Sequence, residues 1–203
     1  MKMHNYIKLF LLFFLIVFLT SCGAISTKKE TTLQEPKLNV YIMPQQPTNL
    51  RDKKALLAPI IFPKEYDNES RKEYTLLLRD ILLQNRVFMV VEAYMEQTGS
   101  EEEFVGLAHK KGFDYIIIAK CPRFIAPVGL SRGWTALDLS IIQAPTDITL
   151  WHIYSETDLT PKPEKDYIFF TRQYKNAPSV TQGFVSLAME IAKFINLKTM
   201  GLQ

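Results

Sequence analysis

The chain has 203 residues, 47% of them hydrophobic, and a formal net charge of +3 that drops to +1 once Lys2 and Lys8 leave with a cleaved leader. So even a balance gives no electrostatic case for nucleic acid as a partner. Of its two cysteines one closes the apolar leader, which excludes a disulfide framework; the remainder is long enough for one domain with a real core plus a tether.

The N-terminus is the most informative stretch. Residues 9–19 form eleven uninterrupted apolar positions after a lysine-bearing start, whereas a membrane-spanning helix needs about twenty. A charged start, a short apolar run and small residues at its exit are the marks of a cleaved export signal. The exit reads Leu19-Thr20-Ser21-Cys22 and resembles the lipobox of bacterial lipoproteins, in which the peptidase cuts before a cysteine carrying diacylglycerol. That resemblance makes residues 1–21 a lipoprotein signal peptide and Cys22 the lipidation site and first mature residue. The alternative is an uncleaved signal anchor with an incidental cysteine. One acyl chain holds only marginally, at roughly 0.8 kcal/mol per buried methylene, so two or three chains on Cys22 anchor the protein firmly. Gly23 follows rather than Asp; by the sorting rule of enterobacterial lipoproteins this implies the outer membrane, with the chain facing the periplasm.

Residues 22–54 read as the lipidated N-terminus and a linker, because Pro36, Pro44 and Pro47 deny the segment a long helix or a central strand. Within it Leu38, Val40 and Ile42 alternate, which allows a short strand or a segment lying along the domain. Fully extended, a linker of this length reaches roughly 100 Å.

Residues 55–203 read as a single domain. A short apolar strand, 55–62 (ALLAPIIF), is followed by a capping box of Ser70 with Glu73 and a helix whose Tyr74, Leu77, Leu78, Ile81 and Leu82 recur at helical spacing. A second strand spans 87–93. Ser100 and Glu103 cap a second helix that buries Phe104, Leu107 and Ala108 and stops at Gly112. The third strand, 115–121 (YIIIAKC), is apolar enough to be central and covered on both faces. Strand, helix, strand, helix, strand implies parallel pairing through right-handed crossovers. Residues 134–143 and 148–156 then form an antiparallel hairpin about a turn at 144–147. Ser179 and Gln182 cap the last helix, with the stripe Phe184, Leu187, Ala188, Ile191, Ala192 and Ile195. The fold class is therefore α/β, a mixed sheet in the order β-α-β-α-β-β-β-α with helices packed on it.

The string LAHKKGFDYIIIAK, residues 107–120, resembles the TolB amino-terminal domain and the related CsgG, FlgO and LpoB lipoproteins. In that family a helix bearing Leu-Ala ends at Gly, and Asp-Tyr opens the next strand; Leu107, Ala108, Gly112, Asp114 and Tyr115 stand in those places. The hairpin LDLSIIQAPTDITLWHIYSE matches the family's paired strands at Leu150 and Trp151, but Gln143 and Pro145 replace its usual Asp before the turn and Gly within it. These motifs are structural. The resemblance implies a bacterial envelope lipoprotein, and a family that includes pore subunits, flagellar accessories and synthase activators does not by itself name a function.

No catalytic set emerges. His4 leaves with the signal, His109 lies on an exposed helix side and His152 sits alone in a strand, so the clustered donors that a metal requires are missing. Ser131, Ser140 and Ser155 lack a nucleophile elbow. Glu101, Glu102 and Glu103 occupy the first turn of a helix, where the positive dipole end accounts for them. The expectation is a protein that is not an enzyme and holds no metal or cofactor.

Two loop-rich segments exceed what the fold needs: 122–133 (PRFIAPVGLSRG) and 157–178, which contains YIFFTRQY. Either they cover the sheet or they contact a partner. For the second case the contact residues are Phe124, Arg132, Tyr167, Phe169, Arg172 and Tyr174, since aromatic residues and Arg dominate interface energetics. The expected function is a lipid-anchored periplasmic binding module that docks on and regulates or positions a cell-envelope machine. The alternative is a homo-oligomeric one, a peripheral subunit of a CsgG-like secretion ring or flagellar accessory ring. A self-made pore is rejected, because residues 161–166 (PKPEKD) interrupt the only stretch long enough for a spanning hairpin.

Overall fold

Period-two alternation and the length of each crossover account for most of the architecture. The computed structural model describes residues 33–46, 48–96, 100–162, 165–166, 171–172 and 175–201. In chain order these form β1 (Lys37–Ile42), β2 (Lys54–Leu57), α1 (Asn68–Gln84), β3 (Val90–Ala93), α2 (Glu101–Lys110), β4 (Tyr115–Lys120), β5 (Phe124–Ile125), β6 (Gly133–Gln143), β7 (Ile148–Leu159), β8 (Lys165–Asp166), β9 (Thr171–Arg172) and α3 (Val180–Thr199). Seven strands make one mixed sheet in the order β1-β7-β6-β4-β2-β3, with β5 beside β6; β8 and β9 pair separately. β2 is parallel to β3 and β4, and all other pairs are antiparallel. The mixed α/β class expected from the sequence is what forms, with β1, β5 and the β8–β9 pair added to the expected order.

Two apolar layers sandwich the parallel half of the sheet. Ala55 and Leu57 of β2, Tyr115, Ile117 and Ala119 of β4, and Leu137, Leu139 and Ile141 of β6 pack beneath α1 and α3. Leu56, Ala58, Ile116, Ile118 and Ile142 point the other way and meet Val105, Ala108, Phe104 and Leu107 of α2. The five apolar residues at the start of β4 are all buried, as a strand covered on both faces requires. Every residue of the α3 stripe is fully buried. Thr75 ties α1 to the segment that follows β2: its hydroxyl accepts from the Ile60 N–H at 3.1 Å and donates to the Arg71 carbonyl at 2.7 Å.

The sequence reading needs correcting at three places. First, α1 starts earlier than its capping box suggests: Asp67 is the N-cap, its carboxylate accepting from the Ser70 N–H at 2.7 Å, so Ser70 lies inside the first turn. The capping boxes of Ser100 with Glu103 and Ser179 with Gln182 both form. Second, β3 begins only at Val90; Val87 and Phe88 are buried but not strand. Third, the chain joins the fold well before Ala55. Leu33 bridges Leu159, and β1 pairs along β7 with a bulge between Val40 and Ile42. Leu38 and Val40 rest on the core, and Leu50 is fully buried. The apolar alternation in a proline-rich segment thus marks an edge strand, where proline nearby is tolerated.

The hairpin turn manages without an Asp before it or a Gly within it. The Gln143 carbonyl accepts from Thr146 and Asp147 N–H at 3.2 and 2.9 Å, the Thr146 hydroxyl donates to Gln143 Oε1 at 3.0 Å, and Asp147 takes the left-handed conformation at φ 55°. Asp is among the few non-glycine residues that adopt it readily.

Phe184 is fully buried, with its ring edge-on to Tyr74 at 5.1 Å. Phe184→Ala is expected to lower the unfolding free energy by about 3–5 kcal/mol in urea denaturation. Hydrogen bonds from the Ser70 backbone and then its hydroxyl hold the Asp67 carboxyl below its ordinary value. A depressed carboxyl stabilises the fold above its unfolded value and loses that contribution as pH falls through the folded one. Asp67→Ala should therefore lower the thermal midpoint at neutral pH, with the gap to the parent narrowing below pH 3.8.

Candidate docking surfaces

Because α2 covers only the β3-β2-β4 side, the corresponding face of β6, β7 and β1 carries no helix among the described residues. Register defines what stands on it. Lys37, Glu156 and Ala136 form one cross-strand row; Asn39, Tyr154 and Asp138 form the next; His152 faces Ser140 in the third. His152 Nε2 is 2.8 Å from Asp138 Oδ1, and the Tyr41 ring lies 5.1 Å from the imidazole, tilted 45°. The Tyr154 hydroxyl donates to Glu156 Oε2 at 3.0 Å, and Arg123 Nη1 approaches the same oxygen at 3.8 Å. Partial burial, reinforced by the hydrogen bond to Glu156, raises the Tyr154 phenol above its ordinary value. Tyr41 is 64% exposed and Trp134, on the same side of β6, is 39% exposed.

Chemically this face can bind. His152 and Asp138 form an orienting pair, but no hydrogen bond links Ser140 to the ring, while Ser155 is fully buried and Ser131 sits on an exposed loop. Among the described residues no group of three or more His, Cys, Asp or Glu could hold a metal ion, and no helix is long and apolar enough to cross a membrane. The face instead mixes aromatic rings, an arginine and hydrogen-bonding groups, the composition that carries binding energy at protein interfaces.

A second surface is the β5–β6 loop with the groove beside it, an open hollow of about 630 Å³ lined by Pro63, Glu65, Tyr66, Arg123 and Ile125 among others. Here the expected contact residues separate. Phe124 is only 4% exposed; its ring is enclosed by Phe62, Tyr66 and Tyr74, each 5.0 Å away and nearly perpendicular. Its side chain belongs to the core, and Val128 and Leu130 hold the exposed positions in its place. Arg132 is exposed. Arg172 ends β9, where only the backbone is described. Tyr167, Phe169, Tyr174 and Cys22 lie outside the described residues.

Tyr41, Tyr154 and Arg123 did not stand out in the sequence. The signal for Tyr41 and Tyr154 is the polar half of the alternation in β1 and β7, which becomes a surface only when the two strands are known to be neighbours; Arg123, between β4 and β5, carries no such signal.

No family model matches the sequence, and no curated protein matches it. Solved structures do. The chain is similar to PelC from Paraburkholderia phytofirmans, solved as a dodecamer, at 11% identity and a TM-score of 0.53 over 83% of this chain and 99% of that one. It shares a fold with PelC. The hypothetical protein CT253 from Chlamydia trachomatis is 9% identical, with a TM-score of 0.48 over 71% of this chain and 98% of its own. The LpoB C-terminal domain from Salmonella enterica is 15% identical, with a TM-score of 0.36 over 53% of this chain and 82% of that domain. At these identities the likeness speaks for the fold alone, and the last two superpose too loosely to carry an argument.

Cys121, the free cysteine of the described residues, is buried, and burial pushes its thiol well above the ordinary range. A maleimide reagent should therefore leave Cys121 unmodified in the folded protein, and modification should track unfolding across a urea titration.

Proposed function

We propose that the chain is a lipid-anchored, non-catalytic binding module on the periplasmic face of the outer membrane, which docks on and regulates or positions a protein machine of the cell envelope. The observation that carries this reading is the face of β1, β7 and β6 on which no helix of the described residues lies, with Tyr41, Tyr154, His152, Trp134 and Arg123 at or near its surface. An antiparallel sheet can leave one face to water, but a merely solvated face has no need of two tyrosines and a tryptophan. The leader that ends just before Cys22 supports export and acylation.

One observation favours a second reading, a peripheral subunit of an oligomeric envelope ring: the PelC structure that shares this fold over nearly its whole length is a dodecamer. A ring requires a repeating heterologous contact between copies, whereas an adaptor needs none.

Photocrosslinking in living cells separates the two. With the probe placed in turn at Tyr41, Tyr154 and Tyr174, the adaptor reading expects one discrete adduct with a different protein, absent when the probe sits at His109. A ladder of self-adducts supports the ring, and failure to crosslink at all three positions removes both.

A further inference from the structure

The two most exposed large apolar side chains of the described residues are Val128 at 76% and Leu130 at 75%, both in the β5–β6 loop. Exposed apolar tips are ordinary on slack loops, but this loop is held. Phe124 anchors one side in the aromatic core, and the Tyr66 hydroxyl donates to the Phe124 carbonyl at 2.7 Å. The Ala136 N–H donates to the Arg123 carbonyl at 2.8 Å. At the other side the chain passes so close to Gly133 that a Cβ there would stand 2.5 Å from the Ile125 carbonyl oxygen and 2.7 Å from the Pro127 nitrogen. The tip itself is a turn, closed by the Ser131 N–H on the Val128 carbonyl at 2.9 Å, with Gly129 at φ +58°. The scaffold therefore projects Val128 and Leu130 outward and gives them no route back to the core.

What they meet is indicated by charge and by chain direction. Residues 122–133 contain two arginines and no acid; Arg123 shares Glu156, while Arg132 is exposed and has no ion pair among the described residues. The place where the N-terminal segment joins the fold is beside the base of this loop: Leu33 bridges Leu159, and Leu159 pairs with Gly133. Only ten residues separate Cys22 from Leu33, a span of at most about 40 Å. An acylated Cys22 thus tethers the domain by the end that carries the loop.

We propose that Val128, Leu130 and Arg132 form a second membrane contact, the apolar pair entering the interface of an anionic phospholipid bilayer and the arginine pairing with lipid phosphate. It rests on the reading of Cys22 as the acylated residue. Two or three acyl chains on Cys22 hold the protein but leave the domain's orientation free, and a second contact with apolar and cationic groups fixes which side of the domain faces the membrane.

The test uses the full acylated protein carrying Leu130→Cys labelled with an environment-sensitive fluorophore. With Cys22 acylated and Cys121 buried, the introduced thiol is the one that reacts. On vesicles of phosphatidylethanolamine and phosphatidylglycerol containing doxyl-labelled lipid, the emission should shift blue and fall by roughly half, with a weaker effect on phosphatidylcholine alone. Val128→Cys should read the same, and His109→Cys on α2 should stay in water. A Leu130 probe that remains in water on these vesicles, or is shielded only by a second copy of the protein, overturns the proposal. Mass spectrometry of the N-terminal peptide distinguishes the failures. Without acyl chains on Cys22 both readings fall, whereas acyl chains with an unquenched probe remove the loop contact alone.

Discussion

The handedness of the β-α-β crossover governs the rest of this molecule. From β2 the chain steps outward to β3 through α1, and from β3 it steps back across β2 to β4 through α2. A right-handed crossover taken in opposite directions places its helix on opposite faces of the sheet. Hence α1 packs over Ala55 and Leu57, whereas α2 packs over Leu56 and Ala58. The final helix joins α1 on its face and covers β6 and β7 with Phe184, Leu187 and Ile191. Among the described residues that leaves α2 alone on the other side, too short at ten residues to cover more than the parallel half.

The uncovered remainder follows from that distribution. Its polar groups are paired locally, His152 with Asp138 and Tyr154 with Glu156, so the face tolerates water in the free protein while keeping rings on display for a partner. The β5–β6 loop differs in kind. It is apolar and cationic, held at its base by Phe124 and Gly133, and that base lies beside the point where Leu33 joins the sheet. The two surfaces meet at Arg123, which pairs with Glu156 on the sheet face and lines the groove beside the loop.

Much of the architecture was legible because local and tertiary signals agree. The α3 stripe and the apolar run of β4 demand burial wherever they fall, and the capping boxes at Ser100 and Ser179 mark the helix starts they appear to mark. The α1 start was misread because Asp67, three residues before Ser70, competes for the same N–H as the S-x-x-E pattern and prevails. Phe124 looked like a free loop aromatic because the rings that enclose it, Phe62, Tyr66 and Tyr74, lie some 50 to 60 residues earlier. The candidate face was hidden for a related reason: no local pattern states that residues 37–42 lie beside β7.

That pairing also sets an order in time. The hydroxyl of Thr157 donates to the Gln34 carbonyl across 123 residues, and β1 finds no partner until β7 exists. The β6–β7 hairpin closes over a four-residue turn and forms early, whereas a contact of such sequence separation forms late. As the chain emerges from its N-terminus, β1 waits unpaired through most of synthesis and docks only once β7 has been made. On the acylation proposed for Cys22, completion of the fold would draw the domain toward that residue, so that a nascent chain and a finished one attached there would sample different distances from the membrane.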